Sequence, residues 1–294
     1  MSDAGRAGSP APEHEFVDLH MHSTASDGSR APQDVVAAAS GAGLAAIALT
    51  DHDTLAGLAD ASAAGAECGV RVIAGVELSA VEGERADQET HILGLHLAER
   101  AEMEERLVAI RDMRVQRAER MVRRLNELGV PVTMEAVLKE SAGGAVGRPH
   151  VARALVAGGW AADVRSAFDR FIGAGRPAFV AKDRLSVVEA IDLIHRAGGL
   201  AILAHPGAGC SRDRVLELIR DGLDGLEILH PSHNWDESQR LDAIASEFEL
   251  IRSGGSDWHG ASDGARTIGM MKVPSLWLEQ QDARIAANGS RRVG

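Results

Sequence analysis

The sequence predicts an α/β fold with a mostly parallel sheet or barrel. Short β-rich runs alternate with helical patterns from Phe16 onward, which is typical of this class. Hydrophobic residues make up 45% of the chain and charged residues 25%, the balance of a protein with a sizeable core. Histidines and carboxylates follow several of the apolar runs, at the points where strands would end. Together these observations favour a barrel that carries a polar site on one rim.

Seven runs have the length and composition of strands. They cover residues 16–21, 44–49, 71–78, 91–97, 200–204, 225–230 and 249–253. Helices of ordinary length are predicted between most of them, over 32–41, 56–68, 187–197, 211–221 and 237–247. Nothing in the sequence repeats at a fixed period.

Two segments break the alternation. The loop between Ser79 and Thr90 is too short for a parallel crossover, so the fourth strand is predicted to run antiparallel to the third. Residues 99–182 carry an almost purely helical pattern. They are predicted to form an inserted subdomain that divides the barrel into residues 16–98 and 183–275. Its first helix should end at Gly129, because a glycine followed by Pro131 is a helix stop signal.

The polar face of that first inserted helix is rich in arginine. Arginines stand at positions 106, 111, 114, 117, 120, 123 and 124. A solvated face with acidic partners such as Glu119 is favoured over a phosphate-binding role, which stays open as the alternative.

The two ends are predicted to be tails, over residues 1–15 and 276–294. Residues 1–15 lack the basic start and apolar stretch of a secretory signal, and no apolar run approaches the roughly 20 residues of a membrane span. Cys68 and Cys210 cannot make a disulfide framework, which fits a reducing cytoplasm. The net charge of −12 argues against binding of long duplex nucleic acid, so any phosphate partner should be small or short.

Nine histidines and carboxylates are predicted to converge on the rim where parallel barrels place their active sites. They are His20, His22, Asp27, His52, Glu77, His91, His205, Asp257 and His259. His91 joins them only if its strand is antiparallel, because its start then lies beside the ends of the others. A single ion takes about four to six ligands, so two or three divalent ions are implied. The alternative, a polar core network without metal, would have to explain three buried acids.

The ordered motifs resemble those of the PHP (polymerase and histidinol phosphatase) superfamily of metal-dependent phosphoesterases. They are Asp18-Leu-His-Met-His22, Thr50-Asp-His-Asp53, Gly75-Val-Glu77, Thr90-His-Ile-Leu-Gly94, Ala204-His-Pro-Gly207 and Gly255-Ser-Asp-Trp-His259. The resemblance implies a distorted seven-stranded (β/α)7 barrel, in agreement with the strand count. It also implies three metal sites. His20, His22, Glu77 and Asp257 would hold the first, Glu77, His91 and His205 the second, and Asp27, His52 and His259 the third, with Glu77 bridging.

The inserted segment is similar to the branch of nucleoside 3′,5′-bisphosphate phosphatases and 5′ to 3′ oligoribonucleases. Its motifs are Gly147-Arg-Pro-His150 and Gly175-Arg-Pro-Ala-Phe-Val180. Arg148 and Arg176 are accordingly expected to bind substrate phosphate, although a structural salt bridge explains them equally well from sequence alone. The branch often has lysine at 176, tyrosine at 179 and phenylalanine at 258. These differences, with those at Lys182-Asp-Arg184 and Ala208-Gly-Cys-Ser211, leave the substrate open.

The expected reaction is hydrolysis of a small phosphomonoester by a metal-bridging hydroxide, since bound divalent ions lower the pKa of water to about 7. Glu77 and Asp257 would position the nucleophile, and His233 or a water would protonate the leaving group. The favoured substrate is the 3′-phosphate of a nucleoside 3′,5′-bisphosphate, with short RNA as a further one. Manganese is the expected metal, and iron and zinc suit the same ligands. No pattern in the sequence predicts the oligomeric state.

Three alternatives to this reaction are kept. Another PHP phosphatase would act on histidinol phosphate or a sugar phosphate. A non-catalytic metal-binding PHP module is disfavoured by the complete ligand series. Metal-assisted hydrolysis of an amide or lactone is also open, because barrel metal sites serve both chemistries.

Overall fold

The computed structural model describes residues 15–82, 89–141, 146–180 and 185–292. The predicted N-terminal tail, apart from Glu15, lies outside the described residues, as does the segment 182–184.

One curved sheet forms the centre of the molecule. Its strands are β1 (Phe16–Met21), β2 (Ala46–Leu49), β3 (Arg71–Val81), β4 (Thr90–Leu95), β5 (Leu185–Ser186), β6 (Leu200–Leu203), β7 (Gly225–Leu229), β8 (Ile251–Gly254) and β9 (Val273–Pro274). All seven predicted strands are present. The two added ones, β5 and β9, have only two residues each, which is too short for a sequence pattern.

The strand order makes the sheet into a barrel. It runs β8-β7-β6-β4-β3-β2-β1-β9, and β5 pairs with β3. β4 is antiparallel to β3 and β6, as the short connection predicted, and β9 is antiparallel to β1. The segment after β8 runs along β1, where the Asp257 amide donates to the His20 carbonyl and the His22 amide to the Trp258 carbonyl, both at 2.9 Å. The predicted α/β barrel is confirmed.

Helices cover the outside of the barrel. They are α1 (Pro32–Gly41), α2 (Leu58–Cys68), α7 (Val187–Arg196), α8 (Arg212–Arg220) and α9 (Trp235–Glu247). Side-chain caps fix several of their starts: Ser186 and Asn234 each form a reciprocal capping box with the glutamate three residues on. These caps fix where α7 and α9 begin, just after β5 and β7.

The inserted helices form their own core. They are α3 (Ala101–Glu127), α4 (Met134–Ser141), α5 (Arg148–Ala157), α6 (Val164–Ala167) and a π-helical turn (Phe168–Ile172). α3 ends two residues before Gly129, whose φ of +75° matches the predicted stop. The first part of α3, including Met103 and Leu107, packs in the barrel core, whereas Met121 and Leu125 pack in the core of the insertion. One helix therefore belongs to both units.

The predicted C-terminal tail is wrong. Ser275–Arg292 form helix α10, and Leu278 and Gln281 are buried against the barrel. Gln281 Oε1 lies 3.1 Å from His96 Nε2, and its amide donates to the Arg252 carbonyl at 2.9 Å. Tertiary packing stabilises this helix, which the polar and glycine-containing sequence did not indicate. Among the described residues, no helix is both long and apolar enough to cross a membrane.

Candidate metal centre and phosphate cavity

The nine predicted ligands come together at one rim of the barrel. His20 is the next-to-last residue of β1, and Glu77 lies within β3. His91 lies near the start of β4, opposite Ser79 of β3. The other six are on loops that follow strands. Main-chain pairing between His52 and Glu77 fixes two of the nine directly against each other. The antiparallel direction of β4 is what brings His91 to this rim.

Glu77 is the centre of the cluster and is 1% exposed. Its Oε1 lies 2.8 Å from His91 Nδ1 and 2.9 Å from His205 Nε2. Its Oε2 faces three more ring nitrogens, at 3.1 Å from His20 Nε2, 3.2 Å from His22 Nε2 and 3.3 Å from His52 Nδ1. One carboxylate thus faces two separate groups of imidazoles, which is the geometry of a bridging ligand.

Two groups of four candidate ligands lie at this rim, and Glu77 belongs to one of them. His20, His22, Glu77 and Asp257 offer ligand atoms that all lie within 4.8 Å of one another, and so do His22, Asp27, His52 and His259. Asp257 Oδ1 is 3.2 Å from His22 Nε2, and Asp27 Oδ1 is 3.2 Å from His259 Nε2. The first group is the set expected for the first metal. The second contains the three residues expected for the third.

Unsatisfied ring nitrogens test whether this donor set fits metal ions. Both nitrogens of buried His22 and Nδ1 of His52 have no hydrogen-bond partner. Buried polar atoms are normally paired, so these nitrogens call for a partner that the protein does not supply. Imidazole and carboxylate together suit manganese, iron and zinc. The residues therefore fit a site for divalent metal ions.

The electrostatics of the protein atoms alone agree with a site made for cations. Burial would raise the pKa of Glu77, but the surrounding histidines, with His52 first, hold that pKa well below its usual range. Burial would lower the pKa of His22, but the Asp257 and Glu77 carboxylates, each 3.2 Å from its Nε2, raise that pKa to about 9. Burial lowers the pKa of His52 to about 4. Interactions with the surrounding histidines thus keep the pKa values of Glu77 and Asp257 low, which favours their ionised, metal-binding form.

Glu227 supports the ligands from behind and was missed in the sequence. It is fully buried on β7, where its Oε1 lies 2.8 Å from His20 Nδ1 and its Oε2 accepts the His205 amide at 2.6 Å. A carboxylate behind a histidine fixes the ring so that the other nitrogen can bind metal. The signal was present, since Glu227 interrupts an apolar strand just as Glu77 does.

His230 is a second residue that the sequence analysis did not select. It is buried, its Nε2 lies 3.3 Å from Asp257 Oδ2, and it lines a cavity of about 420 Å³ beside Glu77 and His205.

The expected role of His233 does not hold. Its Nδ1 lies 3.0 Å from the Ile228 carbonyl and its Nε2 accepts the Gly207 amide at 3.1 Å, so neither nitrogen is available to a leaving group.

Arg114 connects the insertion to the metal rim. It is part of the arginine-rich face of α3, but its side chain is only 14% exposed and pairs with Asp53. Its Nη2 also donates to Ser79 Oγ at 3.2 Å, and Asp53 Oδ1 accepts the Ser79 amide at 2.9 Å. The favoured interpretation of a solvated face is therefore wrong for Arg114, which binds the loop that carries His52.

A second cavity, of about 350 Å³, lies between the metal rim and the insertion. Asp27, His52 and His91 line one side. Basic residues of the insertion line the other: Arg114, Arg117, Arg148, His150 and Arg153. The Arg148 guanidinium carbon lies 5.5 Å from the centre of the Phe168 ring and 5.8 Å from that of Phe179. Arg176 is exposed and does not line this cavity. The structure thus places Arg148, but not Arg176, beside the candidate ligands.

A model of the PHP domain family matches residues 18–196, more than half of the chain. The chain belongs to the PHP domain family. A structure described as a putative metal-dependent phosphoesterase from Bifidobacterium adolescentis superposes on this PHP protein with a TM-score of 0.76 at 32% identity, over 93% of this chain and 98% of the other.

Three curated relatives are similar over most of this PHP protein. The 3′,5′-nucleoside bisphosphate phosphatase of Chromobacterium violaceum is 35% identical over 86% of this chain and 90% of its own. The 5′-3′ exoribonuclease of Haemophilus influenzae is 38% identical, covering 82% and 89%. The phosphoribosyl 1,2-cyclic phosphate 1,2-diphosphodiesterase of Eggerthella lenta is 34% identical, covering 88% and 99%. All three names describe hydrolysis of phosphate esters.

Proposed function

We propose that the protein is a metal-dependent phosphoesterase that hydrolyses a phosphomonoester of a small nucleotide. The favoured substrate is the 3′-phosphate of a nucleoside 3′,5′-bisphosphate, with short RNA attacked from its 5′ end as a second one. The observation that carries the proposal is the position of the nine-residue cluster, which opens directly into a cavity lined by arginines. The names of the Chromobacterium and Haemophilus relatives support both substrates.

The proposed cofactor is two or three divalent ions, with manganese first and iron or zinc as alternatives. When bound, such ions lower the pKa of a water ligand from about 15.7 to about 7 and neutralise phosphoryl oxygens. His20, His22, Glu77 and Asp257 would hold one ion. His91 and His205 would share Glu77 with a second. Asp27, His52 and His259 would hold a third nearest the arginine cavity.

The protein groups around the ions have separate tasks. Glu77 would be shared by two ions, because its two oxygens face different histidines. Glu227 holds His20 and the loop that carries His205. No Cys, Ser or Asp nucleophile is required by this chemistry. The proton for the leaving group is not assigned to His233, because both its ring nitrogens are bound to main chain.

Arg148 is the proposed ligand of a second phosphate on the substrate. It lies in the cavity beside His52 and is held against Phe168, and Arg117 and Arg153 line the same space. Guanidinium groups match phosphate oxygens in charge and in geometry. A bisphosphate would place one phosphate at the ions and the other against these arginines. Arg176 has no such position, so its expected role is not part of the proposal.

A phosphate-release screen tests the function. The purified protein, loaded with manganese, is given nucleoside 3′,5′-bisphosphates, mononucleotides, short RNA, histidinol phosphate and a ribose 1,2-cyclic phosphate. The proposal expects the bisphosphate to give the highest kcat/KM. Release from histidinol phosphate or the cyclic ester alone would overturn the substrate assignment, and no release from any of them would favour a non-catalytic module.

Arg148→Ala tests the second phosphate site. Loss of a charge-assisted contact costs about 2–5 kcal/mol when the partner stays buried, and less when water replaces it, so kcat/KM for the bisphosphate should fall roughly tenfold to a thousandfold. A mononucleotide lacks the second phosphate and should be cleaved nearly as before. Arg176→Ala is the matched control. Equal losses on both substrates would show that Arg148 is structural or serves the reacting phosphate.

We also propose a cytoplasmic location and a small-molecule or short RNA partner, without long duplex nucleic acid. The free thiols of exposed Cys68 and buried Cys210 support a reducing compartment. The excess of acidic residues supports a short anionic ligand rather than a long one.

A further inference from the structure

We infer that Arg266 binds the non-bridging oxygens of the phosphate group that enters the metal centre. The inference rests on the proposed function for the identity of this anion. Arg266 lies on the loop between β8 and β9, far in sequence from the arginines of the insertion. It lines the cavity of about 420 Å³ that Glu77, His205, Asp257 and His259 also line.

Asp257 places the guanidinium next to the candidate metal ligands. Arg266 Nη1 donates to Asp257 Oδ2, and it lies 3.3 Å from the Asp257 main-chain oxygen. The other carboxylate oxygen, Oδ1, faces His22 Nε2 at 3.2 Å and His20 Nε2 at 3.6 Å. The positive charge is therefore separated from the ligand cluster by a single carboxylate group.

The Arg266 guanidinium has N–H donors that can bind a ligand. Arginine has five N–H donors, and those on Nε and Nη2 of Arg266 make no hydrogen bond to the part of the chain that the structure describes. The side chain is 48% exposed and lines the open cavity, so a ligand there can reach these groups. A planar fork of donors beside an ion site matches two oxygens of a phosphate.

The loop that carries Arg266 is fixed in place. Trp258 Nε1 donates to the Ala261 carbonyl at 2.8 Å, and the Thr267 amide donates to the Gly264 carbonyl at 3.2 Å. The Gly269 amide reaches buried Asp18 Oδ2 at 3.4 Å. A ligand on a fixed loop loses little conformational freedom when the anion binds.

Inorganic phosphate is the probe for the test. Its binding to manganese-loaded wild type, Arg266→Ala and Arg266→Lys is measured by calorimetry, with metal content measured by elemental analysis on the same samples. Arg212→Ala is the matched control, because Arg212 pairs with Glu247 on the surface. Hydrogen bonds to charged groups support an expected loss of phosphate affinity of roughly tenfold to a hundredfold in Arg266→Ala, at unchanged metal content. Lysine should restore only part of it, since it lacks the fork.

Three results would overturn the inference. One is equal phosphate affinity in wild type and Arg266→Ala. Another is that Arg266→Ala loses manganese, and that excess manganese restores both the metal content and the phosphate affinity. Arg266 would then act only by holding Asp257. The third is a wild-type protein that binds no phosphate. Weaker phosphate binding in the variant, with no phosphate release by wild type in the substrate screen, would support Arg266 and overturn the proposed function.

Discussion

Replacing Glu77 by Gln should damage the protein more than any other single ligand change. Glu77 is 1% exposed and its two oxygens face five histidine nitrogens at 2.8 to 3.3 Å. Removing one partner of a buried charged network costs about 3–5 kcal/mol. Since about 1.36 kcal/mol is tenfold in rate, kcat/KM should fall by roughly 10² to 10⁴.

Asp27→Asn provides the comparison. The Asp27 side chain is 53% exposed, and its shortest contact with a histidine is 3.2 Å, to His259. Asp27 would be one of three ligands of the third ion and of no other, so Asp27→Asn should keep measurable activity and lose less than Glu77→Gln. Glu227→Gln is the matched buried control. It keeps the ligands but loses the charge behind His20, and support residues of this kind are worth about 10-fold to 100-fold in metal affinity or activity.

The assay is phosphate release at saturating manganese, with circular dichroism to show that each variant folds and elemental analysis to count its metal. Asp27→Asn is expected to be the most active variant, Glu227→Gln the next and Glu77→Gln the least active. Equal rates for the first and the last would refute the bridging assignment, because both would then serve as replaceable ligands of one ion.

Three more predictions concern metal, pH and stability. Active protein should hold at least two transition-metal ions per chain and lose activity on chelation; elemental analysis that finds one ion or fewer in fully active protein would contradict this. Metal binding should release protons, because the pKa values of His20 and His22 lie above 6.5 in the metal-free protein and both rings must be deprotonated to bind metal. Metal affinity should therefore rise as the pH rises from 6 to 8. Calorimetry in buffers of different ionisation enthalpy measures the number of protons released. Gln281→Leu should lower the free energy of unfolding by about 1–3 kcal/mol, because the Arg252 carbonyl loses its donor; urea denaturation checks this, with Gln280→Leu on the same helix as control.

The strand ends were predictable because polar residues interrupt apolar runs there. Glu77 stood out for this reason, and the short loop before Thr90 gave the direction that brings His91 to the rim. Glu227 had the same signal but was overlooked because no motif surrounds it. Arg266 and Arg114 could not be found by pattern. Each is an ordinary charged residue on a loop or helix face, and only the folded chain brings it to Asp257 or Asp53.

The errors have physical causes as well. His233 follows a strand end as a ligand would, but its ring turns back to the Ile228 carbonyl and the Gly207 amide. Helix α10 looked like a tail because sequence patterns report local preference, whereas this helix is stabilised by burying Leu278 and Gln281 on the barrel. Arg176 sits in the expected motif, yet the turn that follows the π-helical segment leaves it exposed.

Helix α3 fixes the distance between the barrel and the inserted helices. Its 27 residues span about 40 Å as one unbroken rod, anchored in the barrel core at Met103 and in the insertion core at Leu125. The insertion therefore cannot swing away from the metal rim as a hinged lid without bending this helix or leaving one of the two cores. Arg114, part-way along the rod, is tied to Asp53 beside the rim. Under the proposed function, this fixed spacing between the candidate metal ligands and Arg148 would select substrates by the distance between their two phosphates.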